Sequence, residues 1–144
     1  MFALTSTSKV GTRIGIRLFR WIASPIITAT EMLRDNSEIQ WVIVGDGRMR
    51  EWAQAEVNRR GLENNFHFLG RYPLDTMPYF FEAADAMLVT LKKEPIFALT
   101  IPPKVQSYLA CGRPVIAAMD GEGANIINKA RAGGTCPSGE PATL

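Results

Sequence analysis

The stretch that decides the fold is WVIVGDGRMREWAQAEVNRRGL, residues 41–62. It opens with an uninterrupted apolar run at 41–44, which is typical of a strand buried on both faces of a parallel sheet. The sequence Gly-Asp-Gly at 45–47 then turns the chain. Apolar side chains follow at helical spacing, namely Met49, Trp52, Ala53 and Val57. The stretch therefore predicts a strand, a glycine turn and a helix that ends at Gly61.

The same alternation continues along the chain. Three further strands are predicted, a short one at residues 66–69, a buried one at 86–91 and another at 115–120. Three more helices are predicted: one through 76–85 capped by Asp75, one from the prolines at 102 and 103 to Gly112, and one at 122–133 ended by Gly133 and Gly134. Strands that alternate with helices of about ten residues imply a Rossmann-like, doubly wound parallel sheet of the α/β class, in a single domain.

The composition is that of an ordinary globular chain. Of its 144 residues, 47% are hydrophobic and 21% are charged, and the net charge of +2 gives no indication of a nucleic-acid partner. No apolar run approaches the roughly 18 residues of a membrane-spanning helix. Two cysteines without a CxxC pattern and one histidine argue against a disulfide framework or a zinc site, and favour reduced thiols in the cytosol.

Residues 1–30 differ from the rest of the chain in charge. They contain no acidic residue and four basic ones, which are Lys9, Arg13, Arg17 and Arg20. Four apolar side chains lie roughly along one helical face, namely Ile14, Leu18, Trp21 and Ile22. Three alternatives stay open: a strand followed by a helix with a basic outer face, an interfacial helix in contact with a membrane, and a cleavable transit peptide. We therefore treat 1–30 as a segment of unassigned role and 31–144 as the α/β domain.

Topology alone indicates where a ligand would bind. In doubly wound sheets, ligands bind at the carboxyl ends of the strands, near the N-termini of helices. The residues expected there are Gly45 to Gly47, Gly70 and Arg71, the loop from Lys92 to Lys104, and Asp120 to Gly123. Glycines and basic side chains suit a phosphorylated ligand, because N–H groups at a helix start carry partial positive charge and Lys104 adds a full one. Each feature also has an ordinary explanation: the glycines permit tight turns, and a lysine is commonly solvated.

Several blocks taken together resemble a known family. They are WVIVGDGRMREWAQAEVNRRGLENNFHFLG, MPYFFEAADAMLVTL, PPKVQSYLACGRPVIAAMDGEG and AGGTCPSGEPATL, in this order over about residues 38–144. The arrangement is similar to the C-terminal half of a GT-B-fold glycosyltransferase of the family 4 kind. The most similar members are bacterial and use UDP-linked N-acetylated sugars to build cell-surface polysaccharide. The resemblance implies the nucleotide-sugar-binding domain of a retaining hexosyl- or N-acetylhexosaminyl-transferase, for example in lipopolysaccharide synthesis.

The resemblance also implies which residues hold the donor. They fall at the floor of the nucleotide site (Gly45, Gly47), at the base (Gly70, Arg71, Tyr72), and at the diphosphate and ribose (Thr100, Lys104, Ser107). It assigns no catalytic residue in this half, and no metal or cofactor is expected.

The chain departs from the family pattern in its E-x7-E motif. Leu99 stands at the position of the first glutamate, and Ser107 at that of the second, which contacts the ribose of the donor. Glu94 is near the first position but out of register. The arginine and lysine that the family usually carries in its first loop do not align with the basic residues of 1–30.

A GT-B enzyme works in a cleft between two Rossmann-like domains. The expected partners are therefore a UDP-sugar and an acceptor-binding N-terminal domain or separate chain. We expect a fragment that is incomplete at its C-terminus, inactive alone, and located in the cytoplasm or at the inner face of the membrane. Such a half-enzyme could contact the membrane peripherally, or self-associate through an apolar face that a partner would cover. The rival hypothesis is a non-catalytic α/β interaction or remnant domain that has lost donor binding.

Overall fold

The structure, a computed structural model, describes residues 2–5, 14–15, 20–35 and 38–140. Its strands are β1 Phe2–Thr5, β2 Ile14–Gly15, β3 Gln40–Val44, β4 Phe66–Gly70, β5 Met87–Thr90, β6 Val115–Ala118 and β7 Gly133–Cys136. Its α-helices are α1 Arg20–Met32, α2 Arg50–Arg59, α3 Met77–Glu82, α4 Pro95–Ala98, α5 Pro103–Ala110 and α6 Glu122–Lys129. Short 3₁₀ turns precede β4 and α3, at Glu63–Asn65 and Leu74–Thr76.

The strands form one seven-stranded sheet in the order β4-β3-β1-β5-β6-β7, with β2 paired to β1. β3 and β4 are parallel, and so are β5, β6 and β7. The predicted α/β fold with parallel strands is thus confirmed. β1 corrects the expectation of a sheet that is parallel throughout, because it runs antiparallel to β2, β3 and β5. Since β2 and β3 are both antiparallel to β1, they share one direction, and β2, α1 and β3 form the strand-helix-strand unit that β1 precedes.

The described part of residues 1–30 contains a strand pair and α1. The expected helical face is wrong at its start, because Ile14 lies in β2 and the helix begins at Arg20; Leu18 lies outside the described residues. A β-branched residue such as isoleucine fits a pleated strand well. α1 packs into the hydrophobic core through side chains that are at most 2% exposed, namely Ala23, Ile26 and Ile27. The boundary that we placed at residue 30 therefore falls inside a core helix.

The core lies along the central strands, as their apolar runs predict. Residues 41–44 of β3 and all of β5 are buried. The helices add buried side chains from one face each, namely Ala53 and Val57 of α2, Val105 and Tyr108 of α5, and Ile127 of α6. Since β3 and β5 are buried on both faces, the loops at the strand ends are the places where a ligand can approach this part of the sheet.

β7 was not predicted from the sequence. α6 ends at Lys129, and the glycines expected to end this helix instead begin a strand parallel to β6. A Cβ atom at Gly133 would lie 1.8 Å from the carbonyl oxygen of Val115, so the two strands approach too closely there for any side chain. These glycines therefore serve strand packing rather than helix termination.

The start of α3 also differs from the expectation. Asp75 lies in the 3₁₀ turn, the N-cap residue of α3 is Thr76, and no side-chain hydrogen bond caps the helix. Thr76 Oγ1 donates instead to the carbonyl of Pro73 at 2.6 Å, within the turn. The 3₁₀ turn leads directly into α3, and the carboxylate of Asp75 does not cap this helix.

A charged cluster joins α1 to the end of α2. Arg60 contacts Glu31 of α1 at 2.6 Å and Glu56 of α2 at 2.7 Å. Arg59 also pairs with Glu56, at 2.6 Å, and hydrogen bonds from these two guanidinium groups lower the pKa of Glu56 to about 2. The cluster holds α1 against the helix that follows the glycine turn.

Candidate functional site

The glycine turn after β3 is joined to the end of β4 by a backbone hydrogen bond. The N–H of Gly45 donates to the carbonyl of Gly70 at 2.6 Å. Both glycines have positive φ angles, 137° and 79°, which other residues adopt at a cost. Gly47 closes the turn, and its carbonyl accepts from the N–H of Arg50 at 2.9 Å. The structure thus brings together the residues predicted for the floor of the site and the first residue predicted for the base.

Arg50 lies between these two loops and was not predicted as a site residue. Its Nη2 donates to the carbonyl of Phe68 at 3.2 Å, and its Nη1 lies 3.7 Å from Oδ1 of Asp46. A Cβ atom at Gly70 would lie 3.0 Å from the same Nη1, so this glycine leaves room for the guanidinium. The sequence did carry a signal, because a cation at the first position of a helix is disfavoured by the helix dipole.

Arg71 and Tyr72 continue from β4 into solvent. Arg71 is exposed. The ring of Tyr72 is 44% exposed and packs edge-on against Phe80 of α3, with 4.9 Å between the ring centroids. This contact fixes the tyrosine while leaving much of its ring accessible. Both residues lie beside Gly70, at the edge of the site where they were predicted.

The other three predicted residues surround the start of α5. Thr100 Oγ1 donates to the carbonyl of Ile96 at 3.4 Å, and Ser107 Oγ donates to that of Pro103 at 3.2 Å. Both hydroxyl groups therefore bond to backbone within four residues of themselves. Leu99 is 78% exposed, where the family places its first glutamate.

The first turn of α5 offers few backbone donors. Pro103 has no N–H group, and the N–H of Val105 donates to the carbonyl of Pro102 at 2.9 Å. Lys104 lies in this turn and is partly buried. Positive charge at this end of the helix comes mainly from the lysine rather than from a set of helix amides.

The loop after β6 packs against α4 and the start of α5. A Cβ atom at Gly121 would lie 2.0 Å from the carbonyl oxygen of Ala98, and one at Gly123 would lie 3.3 Å from Cδ of Pro102. Asp120 accepts a hydrogen bond from the buried Ser138, which follows β7. These contacts link the segments that follow β5, β6 and β7 to one another, next to the start of α5.

The predicted residues therefore form two groups at the carboxyl ends of the parallel strands, which we call the carboxyl edge of the sheet; the opposite ends are its amino edge. The first is the loops after β3 and β4, and the second is the segments after β5 and β6. Strand β1 lies between them in the sheet order. Two strand spacings separate β3 from β5, so a ligand that contacts both groups must span about 10 Å.

Two further kinds of group could contribute chemistry to such a site, a metal-binding cluster and a histidine. Within the described residues, no group of three or more histidine, cysteine, aspartate or glutamate side chains could hold a metal ion. His67 lies on β4. Its Nε2 is hydrogen-bonded to Oε1 of Gln40 on the neighbouring strand, at 2.7 Å, so this side chain already has a partner within the sheet. Among the described helices, none is long and apolar enough to cross a membrane. What the edge offers chemically is backbone, glycine-lined space and positive charge.

A doubly wound sheet with glycine turns and a lysine-bearing helix start at its carboxyl edge defines a Rossmann-like ligand-binding domain. The family model for glycosyl transferases group 1 matches residues 15–144. The chain belongs to this family.

Individual relatives agree with this assignment. The chain is 29% identical over 124 residues to the probable glycosyltransferase WbjE of Pseudomonas aeruginosa, a match that covers 83% of this chain and 30% of that protein. Its fold is similar to that of Alr3699/HepE of Anabaena in complex with UDP, with 23% identity and a TM-score of 0.71 over 90% of this chain and 35% of that one. The UDP-glucose complex of the same protein gives 24% identity and a TM-score of 0.68, over 91% of this chain and 36% of that one.

A glycosyltransferase from Rickettsia africae has a similar fold as well, with 16% identity and a TM-score of 0.70 over 90% of this chain and 35% of that one. The chain thus spans about a third of the length of these proteins. The resemblance to one half of a GT-B glycosyltransferase is confirmed at the level of family and fold.

Proposed function

We propose that the carboxyl edge of this domain binds a UDP-sugar, as the donor domain of a retaining glycosyltransferase that builds cell-surface polysaccharide. The observation that carries the proposal is the convergence of the joined Gly45 and Gly70 loops and of the Lys104 helix start on one edge of the sheet. The similarity to a fold solved with UDP and with UDP-glucose supports this choice of donor.

The charge at the start of α5 supports a diphosphate ligand. Lys104 places a cation where the helix dipole disfavours it, at a cost of about 0.3–1 kcal/mol. A diphosphate beside the lysine would offset this cost, because the ammonium group would donate a charge-assisted hydrogen bond to a phosphate oxygen. We assign the diphosphate to Lys104 and Thr100 on this basis.

The glycine loops support a nucleoside at the other end of the ligand. A Cβ atom at Gly45 would meet nothing within 4 Å, so the space beside this turn is open to a ligand. Gly70 exposes backbone at the point where β4 ends, and Arg71 and Tyr72 flank it. We assign the base to these three residues and the floor of its site to Gly45 and Gly47.

Transfer of the sugar requires catalytic groups in addition to the donor-binding residues at the carboxyl edge. Stabilising a glycosyl-transfer transition state requires groups on both sides of the leaving diphosphate and the acceptor. The donor edge described here supplies one side. We infer that an acceptor-binding domain or a separate chain supplies the other, and that the 144-residue chain alone transfers no hexosyl or N-acetylhexosaminyl group at a useful rate.

Exposed apolar side chains beside the site support such a partner. On α4 and directly after it, Ile96 and Leu99 are 65% and 78% exposed. Beyond β4, Leu74 and Tyr79 are 86% and 72% exposed. Apolar surface next to a binding edge favours a covering domain or self-association over contact with water. We propose that the assembled enzyme works in the cytoplasm, either free or at the inner face of the membrane.

A second candidate function is a non-catalytic interaction or remnant domain. The E-x7-E positions favour it, because Leu99 has no group to bond a sugar and the hydroxyl of Ser107 bonds to its own helix. The two candidates differ in one property, which is whether the folded domain binds a UDP-sugar.

An NMR titration separates them. The ¹⁵N-labelled chain is titrated with UDP and UDP-N-acetylglucosamine, with UDP-glucose as a third donor. Donor binding predicts shifts of the amides of Gly45, Gly70 and Lys104, with unchanged signals from the amino edge at Gly133. A well-dispersed spectrum in which a two-fold excess of UDP-N-acetylglucosamine shifts no amide would contradict the donor site and favour the non-catalytic candidate.

A further inference from the structure

A second cleft lies at the amino edge of the sheet, opposite the proposed donor site. It has a volume of about 420 Å³ and opens to solvent between the end of α5, the turn at residues 112–114 and residues 131–133. Two of its lining residues are arginines, Arg113 and Arg131. None of the residues assigned to the donor lines this cleft.

Arg113 is oriented by the neighbouring helix. Its Nη2 donates to the carbonyl of Glu82, the last residue of α3, at 2.6 Å. A guanidinium has five N–H donors in a rigid fork, so one bond to a carbonyl leaves further donors available at a fixed position. One arginine that lines the cleft is therefore held at a fixed position by the end of α3.

Arg131 has a backbone conformation that an arginine adopts at a cost. Its φ is +50°, and it is the one non-glycine residue with positive φ in the described part of the chain. It follows α6, where the N–H of Arg131 donates to Asn128 at 3.0 Å and the N–H of Ala132 donates to Ile127 at 3.1 Å. This is a helix end that glycine or asparagine fits best. Helix termination by itself thus gives no reason for an arginine.

In the part of the chain that the structure describes, no ion pair neutralises the charge of Arg113 or Arg131. Within the described residues, the ion pairs closer than 4.0 Å involve Glu31, Asp46, Glu56 and Glu94, none of which contacts Arg113 or Arg131. Carboxylates are therefore not the partners of these arginines in the described part of the chain.

We propose that this cleft binds a phosphate group, carried by a phosphorylated small molecule or by a lipid headgroup. Two arginines line one cleft, and the fork of a guanidinium suits the oxygens of a phosphate group. The backbone conformation at Arg131 is retained against local preference because its charge is needed in the cleft. The site is independent of the proposed donor site, because the length of β6, about 10 Å, separates the two edges.

Variants at Arg131 separate this role from a structural one. Arg131→Asn and Arg131→Gly suit the positive φ and remove the charge, whereas Arg131→Lys keeps the charge. We expect the first two variants to raise Tm and to weaken the binding of inorganic phosphate about tenfold or more. Arg131→Lys should retain most of the binding. Arg113→Gln should weaken binding in the same way as Arg131→Asn, and Arg59→Gln on α2 is the control that changes the net charge equally.

The measurement is an NMR titration of the full chain with inorganic phosphate. The amides of Gly112, Ala132 and Gly133 should shift, and those shifts should be lost in Arg131→Asn. Phosphate that shifts none of these amides, or that shifts them as far in Arg131→Asn and Arg113→Gln as in the wild type, overturns the proposal. Increased stability without loss of phosphate binding would likewise leave Arg131 as a helix-end residue only.

Vesicles distinguish the two sources of the phosphate group. Phosphatidylcholine vesicles with and without phosphatidic acid are sedimented with the wild-type chain and with Arg131→Asn. Phosphatidic acid-dependent sedimentation that Arg131→Asn abolishes identifies a lipid headgroup. Binding of inorganic phosphate at the cleft, with vesicle sedimentation absent or unchanged in Arg131→Asn, identifies a soluble phosphorylated ligand.

Discussion

Gly121 lies directly against the backbone of Ala98: a Cβ atom at position 121 would fall 2.0 Å from the Ala98 carbonyl oxygen. This contact holds α4, and with it the loop that leads to Lys104, against the end of β6. The glycine also has a φ of +76°, so its place depends both on local conformation and on the element that it touches.

Gly121→Ala should destabilise the domain more than its φ angle alone explains. With a φ of 76° and a ψ of −145°, Gly121 has a backbone conformation almost confined to glycine, which costs another residue about 1–3 kcal/mol, and the clash with backbone adds about 1–3 kcal/mol. Gly61→Ala is the control for a positive φ without a steric contact, because Gly61 has a φ of +66° and nothing within 4 Å of its Cβ position. Urea unfolding should show a larger loss for Gly121→Ala. Equal losses in the two variants would mean that α4 moves aside freely.

Lys104→Met should weaken UDP binding about tenfold without unfolding the domain, because the ammonium group is the main positive charge that the start of α5 offers a diphosphate. Isothermal titration with UDP measures the change. Lys129→Met, in the last turn of α6 at the opposite edge, is the control and should leave the affinity for UDP unchanged. Retention of full affinity in Lys104→Met would place the diphosphate elsewhere.

Ser107→Glu should strengthen UDP binding about fivefold if α5 faces the ribose, since a carboxylate at this position would accept from the ribose hydroxyl groups. The gain should be smaller for 2′-deoxy-UDP, which lacks one of these donors. Gln106→Glu adds the same charge one residue away, on a different face of the helix, and should give no gain. A gain shared by both variants would reflect charge in general and would argue against a ribose contact at Ser107.

Acid should destabilise the contact between α1 and α2. Hydrogen bonds from Arg59 and Arg60 lower the pKa of Glu56 from 4.5 to about 2. Because the pKa is lower in the folded state than in the unfolded one, this glutamate stabilises the fold above pH 4.5, and its contribution is lost as the pH falls through about 2.

The free energy of unfolding, measured in urea from pH 5 to pH 2, should therefore fall less steeply in Glu56→Gln than in the wild type. Glu51→Gln removes an exposed carboxylate from the same helix and should follow the wild-type curve. Parallel curves for Glu56→Gln and the wild type would show that the cluster contributes nothing in this range.

The sequence predicts the central strands well because burial alone specifies them. The apolar run at 41–44 lies in β3, and the predicted strand at 86–91 contains β5, all four residues of which are buried. A parallel strand covered on both faces needs apolar side chains at every position, and few other structures impose that pattern. The glycine turn and α2 follow for the same local reasons.

The elements that the sequence does not predict are those that depend on their neighbours. β7 begins with two glycines because β6 lies too close for a side chain at Gly133. α4 occupies a loop region because Gly121 leaves room for its backbone. Neither reason is visible in the propensity of the segment itself.

The candidate site also has features that the sequence predicts and features that it does not. Glycines and basic residues after the strands predict which residues lie at the carboxyl edge, because strand ends in a parallel sheet point in one direction. The sequence does not predict that Arg50 bonds to the end of β4, or that Ser107 bonds to its own helix. It also gives no indication that Arg113 and Arg131 line one cleft, since the two residues come from different connections.

By itself, then, the sequence determined the class of fold, the central strands and which residues follow those strands at one edge of the sheet. These follow from burial and local chain geometry, which act over a few residues. The tertiary structure decided the order of the strands, the antiparallel course of β1 and the division of the carboxyl edge into two groups on either side of it. It also brought the arginines together at the opposite edge. Such properties arise from contacts between residues distant in sequence, which no local pattern encodes.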